Sequence, residues 1–266
     1  MGLKAMGSLR CLLALGVFSV LLLPMFAQQS QPSPESPSAA PQSSASAKAQ
    51  QEQESQEILK QEEKQRALGI VPLFAMTNVR NAPPLTTRQK WQLMIKTELD
   101  PFTFVSAGLT AAIGQATNSF VQYGQGAEGY AKRYGAALAD NTDSNLFGDF
   151  VYPVLFKEDP RYFRLGEGTI QHRLLYSMAQ VFETRKDSGG RIFNFANVLG
   201  VATAGTISNL YYPSNDRGVG LTASRAAIAL GYGSLGNLFL EFWPDVDQRL
   251  FHKKPRLNAS DGQQGR

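Results

Sequence analysis

Long stretches of this chain carry no charged residue and are rich in small side chains. Residues 101–127, "PFTFVSAGLTAAIGQATNSFVQYGQGA", and residues 192–215 contain no Asp, Glu, Lys or Arg. Within the first stretch Ala107 and Ala111 are four apart, and so are Gly108, Ala112 and Ala116. Glycine inside a helix costs up to ~1 kcal/mol relative to alanine, so its repeated use requires a gain from packing. Small residues four apart form a flat helix face on which a second helix can lie closely.

Both a helical bundle in water and a lipid bilayer favour such faces. Each stretch exceeds the ~20 residues that a membrane span needs. The first stretch, however, contains amide and hydroxyl side chains that would need partners in hydrocarbon. They are Gln115, Thr117, Asn118, Ser119, Gln122 and Gln125. The sequence therefore favours an all-α bundle of about five to seven helices in water, with insertion into a membrane or shallow contact with it as the alternative.

Capping residues and prolines predict where the helices begin and end. A first helix follows Thr86-Thr87, and Asp100-Pro101 begins a second. Asparagine, threonine and proline signals then place four more helices. These are 129–156, interrupted at Pro153; 170–184, capped by Thr169; 195–212, capped by Asn194; and about 221–243, before Pro244. A hairpin around "DSGG" (187–190) is rejected because the flanking apolar residues do not alternate.

The N-terminus has the pattern of an export signal. Lys4 and Arg10 precede and flank an apolar run at 11–23, Pro24 breaks it, and Ala27 is the expected cleavage position. We therefore expect a signal peptide at 1–27 and export through the Sec pathway to the periplasm, the outer envelope or the exterior. A disordered Pro/Ser/Gln/Ala-rich linker follows at 28–66, with a short solvated Gln/Glu-rich helix at 52–66. The helical domain spans 67–252, and 253–266 is a loose polar tail.

Composition excludes several kinds of chemistry. The only cysteine, Cys11, lies in the predicted signal, and His172 and His252 are the only histidines. The mature chain is thus expected to have no metal site and no cofactor. Lys and Arg number 26 against 22 Asp and Glu, a net charge of +4, and they are scattered. Nucleic-acid binding needs a concentrated basic stripe, so no nucleic-acid partner is expected.

An Asn-Leu-aromatic…Pro…Asp…Arg phrase occurs three times, at 144–163, 202–218 and 236–251. In each copy a proline stops a helix, an aspartate can form the next turn and an arginine can bind exposed carbonyls. The distance from asparagine to proline is eight, four and seven residues in turn. Since a true repeat keeps its period, we interpret the phrase as helix-ending chemistry, with Asn145, Asn209 and Asn237 bonding across helices.

The alternative interpretation is a shared polar pocket. A polar strip follows at spacings of one, four and four residues, and three of its members can share one helical face: Asp140, Asn141, Asn145 and Asp149. Three arginines could reach that face: Arg161, Arg217 and Arg249. Buried carboxylates paired with arginines resemble acid–base machinery, and they equally resemble structural ion pairs.

Two further features could act on or bind a ligand. His172 could be a general base, although a lone histidine at a helix start is also typical of a capping residue. The segment "RKDSGGR" at 185–191 places Arg185, Lys186 and Arg191 around a glycine turn, where a phosphate or lipid headgroup could bind. That segment lacks the strand–loop–helix setting of a phosphate loop, so the pattern is not specific.

Five short segments, spread over roughly residues 67–251, resemble an uncharacterised family of exported bacterial helical proteins. They are "ALGIVP" (67–72), "DPRYF" (159–163), "DSGGRIFNF" (187–195), "SNLYYP" (208–213) and "EFWPD" (241–245). The resemblance implies export and a helical fold. It implies no activity, and no catalytic residue follows from it.

The sequence leaves three functions open. The first is an exported structural or binding protein of the cell envelope, without catalysis, that recognises lipid, cell wall or another protein. The second is a membrane-embedded or membrane-docked helical protein, for which the basic helix with Trp91 is the candidate for peripheral contact. The third is a metal-independent hydrolase or lipid-modifying enzyme using Asp140, Asp149, Arg161 and His172.

Overall fold

The computed structural model describes residues 40–251, and the side chains of 45–250. The predicted signal peptide, the first part of the linker and the polar tail lie outside these residues. Eight α-helices are present in the described part: α1 Ala40–Glu62, α2 Thr87–Glu98, α3 Pro101–Ala116, α4 Gly126–Asn145, α5 Tyr152–Phe156, α6 Ile170–Ala179, α7 Phe195–Ile207 and α8 Val219–Phe251. A π-helical turn, Leu146–Val151, joins α4 to α5. The predicted all-α bundle is confirmed.

Short strands accompany the helices. Antiparallel β1 (Arg66–Ala67) and β2 (Val71–Pro72) form one pair, and parallel β3 (Met76–Thr77) and β5 (Tyr162–Phe163) form another. A three-stranded antiparallel sheet has β6 (Glu183–Lys186) between β4 (Glu158–Asp159) and β7 (Arg191–Phe193).

The β6–β7 hairpin corrects the sequence analysis, which rejects strands at this point. Thr184 lies opposite Ile192, and Arg185 lies opposite Arg191. Gly189 and Gly190, at φ +89° and +81°, make the reversal that other residues rarely adopt. A strand of four residues is too short to show an alternating pattern, which is why periodicity missed it.

Helix starts agree with the predicted caps. The Thr86 hydroxyl and the Gln89 side chain form a capping box, and the Asp100 carboxylate accepts from the N–H of Phe102 at 2.8 Å. Thr169 and Asn194 cap α6 and α7 in the same way. Helix ends agree less well. The helix after Thr169 stops at Ala179 instead of 184, because the following residues enter β6.

Two prolines act differently from expectation. Pro153 lies in the first turn of α5, where its missing N–H costs little, and the interruption before it is the π-helical turn. Pro244 lies inside α8, which continues to Phe251. The neighbouring carbonyl of Glu241 accepts hydrogen bonds from Arg164 Nε and Arg173 Nη2, both at 2.9 Å. Two arginine side chains thus bind helix backbone within one turn of the proline.

Helix α1 begins earlier than predicted and is not simply solvated. It starts at Ala40, and near its C-terminal end Ile58 and Leu59 are buried. Leu59 packs in a core cluster with Phe74, Leu85 and Leu93. Ile58 and Leu59 are the only apolar residues of the segment 52–66. The sequence therefore gives little sign that this helix packs on the domain.

The expected small-residue packing is present at Ala107 and Ala111, and it extends to positions that the sequence analysis did not single out. Ala107, Ala111 and Gly114 are buried where α3 packs on α4, whereas Ala112 and Ala116 are exposed. In α7 the buried positions are Ala196, Gly200, Ala204 and Gly205. Helix α7 lies against α4, the π-helical turn and α8. Close helix contacts therefore form the centre of the fold.

Candidate functional site

A cavity of about 150 Å³ lies where five elements meet. It is bounded by the π-helical turn, the segment from β4 to β5, the end of α6, the start of α7 and the middle of α8. The polar side chains that matter here are Asp149, Glu158, Arg161, Gln180 and Asn237. We call this the Asp149 cavity. It brings together two predicted catalytic residues, Asp149 and Arg161, and one predicted ligand-binding residue, Asn237.

The π-helical turn positions Asp149. Gly148, the preceding residue, lies against Gly200 of α7 so closely that a Cβ on Gly200 would be 2.6 Å from the Gly148 Cα. The two backbones can approach this closely because both residues are glycines and have no Cβ atom. The extra residue of a π-helical turn changes the direction of the side chains that follow it, and such turns are frequent at functional sites. Asp149 consequently lines the cavity.

The Asp149 carboxylate has no protein partner among the described residues. It accepts no hydrogen bond and forms no ion pair. Burial raises its pKa from 3.8 to about 7, and no charged neighbour contributes to the shift. A strongly perturbed acid in a cavity is typical of a functional site, since structural carboxylates normally have partners.

Glu158 and Arg161 line the same cavity and are only partly satisfied. Glu158 is 1% exposed, and its Oε2 accepts from the N–H of Ala196 at the start of α7, at 3.0 Å. Its Oε1 has no partner in the described part of the chain, and neither has Arg161 Nη1. The rest of the Arg161 guanidinium binds Asp159, at 2.7 and 3.0 Å, and the carbonyl of Pro83.

Glu241 shows how the chain satisfies a buried carboxylate elsewhere. Its two oxygens accept from Tyr162 Oη, Arg173 Nε and the N–H groups of Leu165 and Gly166, at 2.7–2.9 Å. Asp245, one turn later, pairs with Arg164 and Arg173. Sequence analysis missed this network. The signal available was the phrase "EFWPD", which it assigned to helix ending.

Lys90 forms a second network that sequence analysis missed. It is 2% exposed, and its Nζ donates to Asp187 at 2.7 Å and to the carbonyls of Glu158 and Pro153. Lysine side chains are usually exposed. That of Lys90 instead crosses to the turn between β6 and β7 and holds that turn against the helices.

Asp140, the other predicted catalytic carboxylate, has hydrogen-bond partners and does not line the Asp149 cavity. Its carboxylate accepts from Tyr211 Oη at 2.6 Å and from Tyr212 Oη at 2.5 Å. Burial raises the pKa of Asp140, and both tyrosines oppose the rise. Arg217 donates to the carbonyl of Tyr212, and Arg225 lies over the Tyr212 ring. This cluster ties α4 to the segment after α7.

The three asparagines of the repeated phrase have different surroundings. Asn145 donates to Glu98 at 2.9 Å. Asn209 donates to Thr222 Oγ1 at 2.8 Å and to the last carbonyls of α7, which is helix-ending chemistry as interpreted. The side chain of Asn237 makes no hydrogen bond to a described residue and lines the Asp149 cavity.

His172 and Arg249 do not reach either cluster. His172 is exposed at the start of α6, and Arg249 is exposed in the last turn of α8. Of the four predicted catalytic residues, the structure therefore places two in one cavity and two elsewhere.

The predicted anion site at the glycine turn forms an open groove of about 400 Å³. Arg185, Lys186 and Arg191 line it, together with Asp159 and Asp187. Arg185 lies 4.0 Å from the centre of the Phe163 ring and donates to a backbone carbonyl. Arg191 pairs with Glu183. Two of the three cations already have partners and two carboxylates share the groove, which disfavours an anion there.

The outer face of α3 is apolar. Its large side chains point away from α4, and the residues that pack on α4 are small. Phe104, Val105, Leu109 and Ile113 are 42–64% exposed. Trp91 of α2 and Leu99 between the two helices are exposed as well. A helix of a protein surrounded by water normally has the opposite arrangement.

Comparison with protein-family models, curated proteins and solved structures gave no match. Within residues 40–251, no helix combines the length and apolar content needed to cross a membrane. In the same part of the chain, no three His, Cys, Asp or Glu side chains are grouped so that they could hold a metal ion.

Proposed function

We propose that this chain is an exported, non-catalytic protein of the cell envelope that binds a lipid surface through the outer face of α3. The observation that carries the proposal is the reversed polarity of this helix, with small residues inside and large apolar residues outside. Contiguous exposed apolar surface of this kind marks an interaction site. Export rests on the predicted signal peptide.

Lipid fits this face because of its size and its lack of charge. Helix α3 has 16 residues, a length of about 24 Å at the usual rise per residue. An interfacial helix lies in the plane of the membrane and buries one face by 5–10 Å. Leu109 and Ile113, at 60% and 64% exposure, would each contribute roughly 1–2 kcal/mol if lipid covered them.

Trp91 supports the same orientation. Its ring is 43% exposed and packs edge-to-face on Phe150. Tryptophan favours the membrane–water interface, and the exposed Arg88 one turn earlier can bind anionic headgroups. The contribution of α2 is smaller than its sequence suggests, since Lys90 is buried and Lys96 pairs with Glu63.

Catalysis is the weaker alternative. A hydrolase using the four predicted residues needs a base next to an acid or a nucleophile. Asp149 and Arg161 share a cavity, but Asp140 is bound to two tyrosines and His172 lies on the surface. Of the four predicted residues only Asp149 and Arg161 lie together, and this pair alone is not a complete set of catalytic residues.

Flotation with lipid vesicles tests the proposal. The full chain is mixed with vesicles of phosphatidylglycerol and phosphatidylethanolamine and compared with the double variant Leu109→Glu/Ile113→Glu. The matched control is Leu155→Glu/Leu175→Glu, which makes the same change at two exposed leucines outside α3. Circular dichroism verifies that all three are folded.

The wild type and the control should float with the vesicles, and the α3 variant should remain at the bottom. Bound wild type should be released by carbonate, because shallow docking is not stable insertion. Equal flotation of all three proteins would contradict the role of α3. Self-association of the wild type that the α3 variant abolishes, without flotation, would assign the face to a second copy and overturn the proposal.

A further inference from the structure

The Asp149 cavity combines a partly open space with acidic groups that lack partners. Four carboxylates line it, Asp149, Glu158, Asp159 and Glu183, and one cation, Arg161. Asp159 is occupied by Arg161, and Glu183 pairs with Arg191 at 3.0 Å. Oε1 of the buried Glu158 has no partner in the described structure, and the half-buried Asp149 makes no hydrogen bond to a described residue.

Three other acidic residues of the fold, by contrast, have partners. Glu241 has four hydrogen bonds, Asp187 has Lys90, and Asp140 has two tyrosines. A carboxylate that is shielded from water is unfavourable unless it takes up a proton or a partner. A cation that carries hydrogen-bond donors would be a suitable partner for the Asp149 carboxylate.

The size and the remaining polar groups limit that cation. A cavity of about 150 Å³ holds a molecule of roughly six non-hydrogen atoms. The side-chain amides of Gln180 and Asn237 line the cavity and make no hydrogen bond to a described residue. They can bind one further polar group, such as a hydroxyl.

We propose that the Asp149 cavity binds the ammonium group of a small primary amine, with Asp149 as its counter-ion. Glu158 Oε1 and the amides of Gln180 and Asn237 provide the other acceptors. The site is independent of the α3 face, and it requires no reaction. A free amine and the headgroup of an ethanolamine lipid share this chemistry.

Calorimetric titration of the full chain with ethanolamine tests the site. Ethylene glycol is the neutral probe of the same size, sodium acetate tests for an anion at Arg161, and calcium chloride tests for a metal ion. Ethanolamine should bind and the other three should not. Binding of calcium or acetate without ethanolamine would overturn the proposal, and so would the absence of ethanolamine binding.

Two variants identify the residues. Asp149→Asn removes the charge with little change of shape and should weaken ethanolamine binding at least about tenfold, because a charge-assisted hydrogen bond is lost. Asp143→Asn is the matched control on α4, outside the cavity, and should bind as the wild type does. Asn237→Leu should also weaken binding, by a smaller factor. Unchanged binding in Asp149→Asn would contradict the assignment, and thermal unfolding verifies that each variant is folded.

The pH dependence gives a third readout. Asp149 must be ionised to pair with ammonium, and burial holds its pKa at about 7. The charged groups that line the cavity with it are Glu158, Asp159, Glu183 and Arg161, whereas the polar side chains that α7 and α8 present there are amides. Affinity should therefore rise about tenfold from pH 6 to pH 8 in the wild type. A flat profile would contradict a role for the Asp149 charge.

Vesicles distinguish the two sources of the amine. An Asp149-dependent preference for phosphatidylethanolamine over phosphatidylglycerol vesicles supports the site and assigns it to the lipid headgroup. Binding of free ethanolamine without that preference supports the site and assigns it to a soluble amine.

Discussion

Replacement of Gly200 by alanine tests the contact that positions the Asp149 cavity. A Cβ at Gly200 would lie 2.6 Å from the Cα and 2.9 Å from the nitrogen of Gly148. Non-bonded carbon atoms rest ~3.5–4.0 Å apart, so α7 and the π-helical turn would have to separate by about 1 Å. Both contacting atoms belong to the backbone and cannot rotate away.

The expected net loss is about 2 kcal/mol. Overpacking costs ~1–3 kcal/mol, and a rigid backbone contact falls at the upper end. Alanine returns up to ~1 kcal/mol through its higher helix propensity. For a domain of this size, ~1 kcal/mol corresponds to 2–4 °C, so the melting temperature should fall by about 4–8 °C.

Gly135→Ala on α4 is the matched control. No atom lies within 4 Å of a Cβ built there, so the same substitution should raise stability by up to ~1 kcal/mol. Thermal and urea unfolding of both variants give the comparison. If Gly200→Ala is as stable as Gly135→Ala, the two backbones are not in close contact and the account of how Asp149 is positioned is wrong.

Three further substitutions test the buried networks. Glu241→Gln should lower the free energy of unfolding in urea by about 3 kcal/mol or more. The amide nitrogen that replaces one carboxylate oxygen is itself a donor, and it would face two of the four donors that bind Glu241. Lys90→Met should cost about 3 kcal/mol, and Asp187→Asn less, because two carbonyls still bind Lys90; equal losses would contradict this order. Burial raises the pKa of Glu62 from 4.5 to about 7 against the opposing effects of Thr77 and Arg161. The folded chain therefore binds more protons than the unfolded chain between these values, and stability should fall as pH rises from 4.5 to 7, less steeply in Glu62→Gln.

Local sequence signals predicted helix starts well. Thr86, Asp100, Thr169 and Asn194 cap helices because a cap depends on residues two or three positions away. Ends were harder, since α6 ends early where β6 pairs with strands distant in sequence. The end of α6 is therefore set by the strand pairing of β6, which no local sequence pattern reveals.

Charged residues show the same limit. Lys90 looks like a surface lysine in its own helix, and its partner Asp187 is 97 residues away. The sequence places Asp140 and Asp149 in one polar strip of a single helix. The π-helical turn at Leu146–Val151 interrupts that helix. Asp140 faces the tyrosines and Asp149 lines the cavity, so only the structure separates their roles.

The most distinctive sequence segments turn out to hold the fold together. "DPRYF" supplies the pair of Asp159 and Arg161, "DSGG" supplies Asp187 for Lys90, and "EFWPD" supplies Glu241. Buried ion pairs of this kind fix one arrangement of the chain, because a displaced partner leaves a charge without compensation. The candidates for function are the places that depart from this pattern. The half-buried Asp149 has no partner among the described residues, and the outer face of α3 is apolar and exposed. Each is costly for a chain alone in water, which is why each is assigned a ligand.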